Sequence, residues 1–524
     1  ATWLAIGASI FASNIGSEHL IGLAGAGASS GMAMAHWEIQ GWMILILGWV
    51  FVPFYTRSMV YTMPEFLERR YNPQSRTILS VISLVSYVLT KVAVTVYAGG
   101  LVFQQVFGIK ELWGIDFFWI AAIGLVVLTA LYTIFGGMKS VLYTSVLQTP
   151  ILLLGSLIIL VLGFKELGGW DEMMRVCGAV TVNDYGDTMT NLIRSNDDAN
   201  FPWLGALIGS AIIGFWYWCT DQFIVQRVLS GKNEMEARRG TIFGAYLKLL
   251  PVFLFLIPGM IAFALHQKYI GAGGEGFLPM LENGTANADA AFPTLVAKLL
   301  PAGVKGLVVC GILAALMSSL ASLFNSSAML FTIDFYKRFR PQTSEKKLVG
   351  IGQVATVVIV ILGILWIPIM RSVGDVLYTY LQDVQSVLAP GIAAAFLLGI
   401  CWKRTSAQGG MWGLISGMVI GLTRLGAKVY YSNAGEVADS TFKYLFYDMN
   451  WLFFCGWMFL FCIIVVIVVS LATEAPTAEK IQGLVFGTAT KEQKASTRAS
   501  WNHWDIIHTV IILAITGAFY WYFW

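Results

Sequence analysis

A chain of 524 residues with 12% charged and 57% hydrophobic side chains is not an ordinary soluble domain, where about a quarter of residues carry charge. It reads as an all-α, polytopic membrane protein whose main surroundings are a lipid bilayer. The balance of 33 basic against 30 acidic residues leaves no surplus for a nucleic acid, and the six cysteines show no metal or redox spacing.

Apolar runs of about 20 residues predict thirteen spans, at 3–26, 36–56, 77–107, 113–134, 140–165, 202–226, 241–267, 295–335, 347–370, 376–401, 408–430, 448–472 and 504–523. Between them the loops alternate in charge. Those holding Arg57 to Arg76, Lys139, Arg227 to Arg239, Lys337 to Lys347, Lys403 with Arg404, and Lys480 to Arg498 are basic, which predicts that they face the cytoplasm. The opposite loops are poor in base or acidic, with Asp171, Glu172, Asp184, Asp187, Asp197 and Asp198 in 168–201 and Glu275, Glu282 and Asp289 in 268–292; only 424–447 is mixed. Both long loops are rich in Gly, Asn and Asp and are expected to hold short helices, with Asn283-Gly-Thr read as a turn.

The blocks 3–167 and 202–401 hold five spans each, and each opens with a helix interrupted by polar residues, Ser13–His19 and Trp216–Gln222. Paired broken helices at corresponding positions of two halves point to an inverted-repeat transporter and to its binding site. Residues 1–167 and 202–401 are therefore expected to be the two repeats, joined by the outward loop 168–201. Residues 402–524 add three helices with a cytoplasmic loop.

The chemistry is expected where polar groups resist the membrane. Ala12–His19, read as Ala-Ser-Asn-Ile-Gly-Ser-Glu-His, must face a cavity or pack in protein, because an unpaired polar group in hydrocarbon loses several kcal/mol of hydration. In the eighth span Ala315, Ser318 and Ser319 share one helix face, so a carbonyl and two hydroxyls can meet a small cation. The same hydroxyls could instead bond back to carbonyls four residues earlier. Of the charges within spans, Glu38 and Lys248 are the two that hydropathy most resists, and such groups usually pair or face a cavity. With His19, Asn14 and Gln382 they make a mixed set of donors and acceptors suited to a neutral polyhydroxy ligand. The aromatic run Trp216-Tyr217-Trp218 could be its platform or an interfacial belt. His19, His36, His266, His503 and His508 have no ligand spacing and there is no nucleophile–base arrangement, so no enzyme is expected.

Ala12–His19, Thr62-Met-Pro-Glu-Phe-Leu67, Trp216-Tyr-Trp-Cys-Thr-Asp-Gln-Phe-Ile-Val-Gln-Arg227, Tyr246-Leu-Lys-Leu-Leu-Pro251, Leu316–Ser326 and Phe396-Leu-Leu-Gly-Ile-Cys-Trp-Lys-Arg404 together resemble the sodium/glucose cotransporters of the sodium:solute symporter family. The resemblance runs from about residue 3 to the last span. It implies a LeuT-like core of two inverted five-helix repeats with extra helices. It also implies a span ahead of the broken helix, so that part of an N-terminal segment would precede Ala1. Carried over by position, it implies a sugar site of Asn14, His19, Glu38, Tyr217, Trp218, Lys248 and Gln382. Tyr217 would be the inner gate, and Leu23, Trp37 and Tyr378 the outer gate. A sodium ion would bind the carbonyls of Ala12, Ile15 and Ala315 and the hydroxyls of Ser318 and Ser319.

Three positions depart from that pattern. Ser145 and Ala321 replace the Asp and Thr of relatives that move two sodium ions, which implies one sodium per sugar; Gly214 stands where a galactose-transporting relative has Asn. The expected activity is sodium-coupled symport of a neutral hexose, glucose or galactose, by alternating access. The alternatives are myo-inositol, which Ser17-Glu18-His19 and Trp37-Glu38 fit as well, and a sugar sensor or sodium channel on the same fold. Ser319 favours glucose, because the inositol branch tends to carry Asp there. The expected location is a plasma membrane, and a bacterial inner membrane in particular.

Overall fold

The computed structural model describes residues 1–16, 18–60, 62–281, 284–373, 376–434 and 438–524, except for the side chains of 132, 134–149 and 370–373. Ser17, Glu282 and Asn283, and the side chains of Lys139 and Ser145, thus lie outside the described residues. The chain is helical almost throughout; its only sheet among the described residues is the hairpin Glu111–Leu112 with Ile115–Asp116.

Among the described residues ten helices are long and apolar enough to cross a membrane, with Trp3–Asn14 and Phe117–Leu131 as shorter apolar helices. Ten differs from the thirteen expected for identifiable reasons. The rest of span one and span two fall in one run of helical segments, Glu18–Ser58, which turns at the positive-φ Gly31 and bends at Ile39 and Gln40. The turn expected at Lys139 does not interrupt the helical backbone, which runs from Phe117 to Leu167. Gly136-Gly137 and one lysine do not stop a helix that meets no proline before Pro150. At 1.5 Å per residue these 51 residues measure about 77 Å, over twice the ~30 Å hydrocarbon thickness. Ala407–Asn433, the eleventh span, is a helix but too polar to count, and its buried Arg424 donates to the carbonyls of Leu445 and Met449. The long loops hold only short helices, as expected: Trp170–Gly178, and a single turn at Ala288–Ala290.

Both expected breaks are present. Trp3–Asn14 ends where the Gly16 N–H turns back to the Asn14 carbonyl (3.1 Å), and a wide π-turn, Glu18–Leu23, leads into Ala24–Ser30. Trp203–Gly214 passes through the π-turn Phe215–Thr220 to an extended residue, Asp221, before Gln222–Leu229. The Asp221 carboxylate compensates that second break. It accepts the Phe223 N–H (3.1 Å) and the Tyr87 hydroxyl (3.0 Å), and it pairs with Lys91 (2.8 Å).

Close crossings hold the broken helix in place. Gly27 and Gly259 let Ala24–Ser30 and Ile257–Gly271 approach until a Cβ on Gly259 would stand 1.9 Å from the Ala24 carbonyl oxygen. Further along, Asp289 from the long loop accepts the Leu377 N–H on both carboxylate oxygens (3.2 Å each). It thereby holds the first residue of the nearly fully buried helix Leu377–Cys401.

Gly259→Ala is expected to cost at least the ~1–3 kcal/mol typical of overpacking and to lower the melting temperature in detergent. Gly303→Ala, with open space around it, is expected to leave it unchanged or higher. Burial pushes the Asp289 carboxyl up to about 7. The folded protein therefore prefers its neutral form, and that stabilisation is full below about pH 4 and lost as pH rises to about 7. Melting curves across this window should fall less steeply for Asp289→Asn than for the unmodified chain.

Candidate functional site

Glu38 is fully buried at the end of the short helix Ala35–Glu38, and three donors from other elements converge on it. Lys248, just past the helix Glu234–Leu247, donates to Oε2 at 2.6 Å, and His19 Nε2 from the first π-turn lies 3.2 Å from the same oxygen. The Tyr378 hydroxyl donates to Oε1 at 2.5 Å. Lys248 Nζ also donates to Asn14 Oδ1 (3.2 Å) and sits 5.4 Å from the centre of the Trp218 ring. Asn14 Nδ2 in turn donates to the Tyr217 hydroxyl (3.2 Å). One chain of hydrogen bonds, Tyr217–Asn14–Lys248–Glu38–Tyr378, therefore ties both broken helices to three further elements.

These side chains surround one cavity. Of the substrate positions expected from the sequence, Asn14, His19, Tyr217, Trp218, Lys248 and Gln382 line it, and Glu38 stands behind them holding Lys248, His19 and Tyr378. Of the expected gate positions, Trp37 and Tyr378 line it with Tyr217, whereas Leu23 is buried in protein away from the lining, as is Trp216. His19 Nδ1, Trp37 Nε1 and Gln382 Oε1 are buried with no hydrogen-bond partner among the described residues. The free space is about 40 Å³, room for water rather than for a six-carbon ring.

Glu18, Gln40 and Gln385 also line the cavity and were not among the expected positions. Gln385 lies three residues after Gln382 on one helix, so spacing alone would have drawn attention to it. Gln40 donates to the Ser210 carbonyl (2.7 Å), and its Oε1 would lie 2.4 Å from a Cβ on Gly214. The glutamine amide thus fills the place a side chain at 214 would need.

A second polar region lies at the first break. Ordinary α-helical bonding would bring the Gly16 N–H to the Ala12 carbonyl and the His19 N–H to that of Ile15. Gly16 instead donates to Asn14 O (3.1 Å) and His19 to Gly16 O (3.2 Å). Both carbonyls thereby lose their helical donors. Ser319 Oγ, from the helix Ala302–Met329, is buried without a partner and would stand 2.8 Å from a Cβ on Gly16. Ala315 and Ser318 are buried on the same face of that helix.

An all-helical membrane protein with two broken helices facing one polar cavity belongs to the class of LeuT-like secondary transporters. A solved sodium-coupled sialic acid symporter, in its substrate-bound outward-open state, matches with a TM-score of 0.67 at 21% identity over 91% of each chain. The fold is the expected one, a core of two inverted five-helix repeats with added C-terminal helices. The Sodium:solute symporter family matches residues 1–417, and the chain belongs to that family. It is 37% identical over 499 residues to the human sodium/myo-inositol cotransporter 2, covering 93% of this chain and 73% of that one. It is 37% identical over 508 residues to the dog sodium/myo-inositol cotransporter, covering 93% and 70%. The chain is a sodium-coupled solute symporter, and its relatives are transporters rather than enzymes.

Removing one partner of a buried ion pair leaves the other charge uncompensated, at about 3–5 kcal/mol. Lys248→Met is therefore expected to destabilise strongly, whereas the double change Glu38→Leu with Lys248→Met should recover part of that loss. Thermal melts of both single variants and the double give the coupling; additive losses would mean that the two charges do not depend on one another.

Proposed function

We propose that the chain carries a neutral cyclic polyol together with sodium, with myo-inositol ahead of glucose or galactose. The order reverses the expectation from sequence, because the relatives named above are sodium/myo-inositol cotransporters, and this outweighs Ser319 as an indicator. The observation that carries the reading is the cavity itself. Its Glu38–Lys248 pair is mutually neutralised, so the polar face around it offers an uncharged ligand many donors and acceptors. Asn14, His19, Glu38, Lys248 and Gln382 would bond the hydroxyls, with Tyr217 and Trp218 as the apolar platform. Tyr217 would close the inner side, and Trp37, Tyr378 and Leu23 the outer side.

Sodium would bind the freed carbonyls of Ala12 and Ile15, the Ala315 carbonyl and the hydroxyls of Ser318 and Ser319. With Ser145 and Ala321 where two-sodium relatives carry Asp and Thr, one sodium would accompany one polyol. Residues 1–167 and 202–401 would be the two repeats, with 168–201 outside the cell and the basic loops in the cytoplasm of a plasma membrane. One charge moving through 100 mV supplies about 2.3 kcal/mol to the transported pair. The coupling can be no larger than the difference in sodium affinity between the two states.

Uptake of radiolabelled myo-inositol, glucose and galactose into proteoliposomes, with and without an inward sodium gradient, tests the reading. Accumulation of myo-inositol under the gradient is expected. Saturable binding without accumulation would make the chain a sensor, and a reversal-potential ratio of two sodium ions per polyol would overturn the single site. Ser319→Ala should weaken sodium-driven uptake far more than polyol binding without sodium.

A further inference from the structure

Glu38 pairs with Lys248, and the nearby Lys91 pairs with Asp221. Glu18, half-buried in the first π-turn and lining the cavity, has no ion-pair or hydrogen-bond partner among the described residues, and it acts on Lys91 and Lys248 only through space. Both lysines are in contact with other carboxylates, so Glu18 keeps its acceptor capacity for a cation that stands beside it.

Its position says which cation. Glu18 Oε2 would lie 2.6 Å and Ser319 Oγ 2.8 Å from a Cβ on Gly16, so the two oxygens converge on the space that Gly16 leaves open. That serine oxygen is buried and has no partner among the described residues, and in the same break the Ala12 and Ile15 carbonyls have lost their helical donors. A hard cation stripped of water takes about six oxygens, preferably with at least one charged.

We propose that Glu18 supplies the charge-balancing carboxylate of the sodium site, on the cavity side of Gly16, and so sets sodium affinity. The proposal rests on the reading that sodium binds between the first break and Ser319. A site of carbonyls and hydroxyls alone holds the ion by dipoles; with Glu18 the occupied site is neutral.

The test uses the purified full-length protein and sodium chloride against choline chloride at constant ionic strength, read as the rise in melting temperature, which needs no knowledge of the polyol. Glu18→Gln is expected to raise half-saturating sodium at least tenfold, and Glu18→Asp to fall between it and the unmodified chain. At saturating sodium the polyol KM of Glu18→Gln should stay within about twofold. Ser319→Ala should also raise half-saturating sodium. If Ser319→Ala does so and Glu18→Gln does not, Glu18 is no ligand and the site reading stands. If neither does, the site reading falls with it. A raised polyol KM at unchanged sodium dependence would make Glu18 a substrate contact and overturn the proposal. Glu18→Asp, nearest to the native side chain, keeps the comparison informative if Glu18→Gln does not fold.

Discussion

The carboxylate of Glu38 is the constraint on which the centre of the protein depends. At zero exposure it must be compensated, and the compensation comes from His19, Lys248 and Tyr378, three side chains on three different elements. Each of these donors also lines the cavity, so the polar face of the site is arranged by the need to satisfy one buried charge. The arrangement is expensive as a source of stability, since burying an ion pair costs about as much as its attraction returns. It fixes instead where five elements meet, and it leaves His19 Nδ1, Trp37 Nε1 and Gln382 Oε1 with bonding capacity turned to the cavity.

Backbone breaks answer a related problem. A helix interrupted at membrane depth exposes carbonyls and amides that hydrocarbon cannot satisfy. At the second break the protein supplies its own remedy, with Asp221 accepting an amide, a hydroxyl and an ammonium group. Among the described residues no comparable side chain meets the Ala12 and Ile15 carbonyls at the first break, whose amide partners are spent elsewhere.

Much of this was legible in the sequence because it concerns residues that hydropathy resists. Glu38, Lys248 and the polar run Ala12–His19 stand out in apolar segments, and Asn14, Glu18 and His19 of that run meet Glu38 and Lys248 at one place. The breaks were legible for the same reason, as polar and glycine residues where a span should continue. The span count was not, because it depends on whether the backbone turns, and a short polar interval such as that at Lys139 stays helical unless a cap or proline stops it. Leu23, which the resemblance puts at the outer gate, lies at the end of the π-turn with its side chain packed into protein rather than on the cavity lining. Gln40 was missed because its role follows from a contact with Gly214 on a distant element, which no local pattern records.

The same eight residues carry both halves of the proposed coupling. Asn14 and His19 reach the cavity with their side chains, and Ala12 and Ile15 lose the helical donors of their carbonyls within the same break. A cation seated there would fix the local backbone, and with it the direction of Asn14 and His19, without any signal having to travel through the bundle. Lys248 donates to Asn14 and Glu38 together, so a shift of Asn14 would be felt at once by the carboxylate and, through Tyr378, by the helix Leu377–Cys401. Ion and polyol would thus act on one short, strained stretch of chain whose two arrangements differ by a few hydrogen bonds. A coupling of that kind needs only that each ligand prefer the same arrangement.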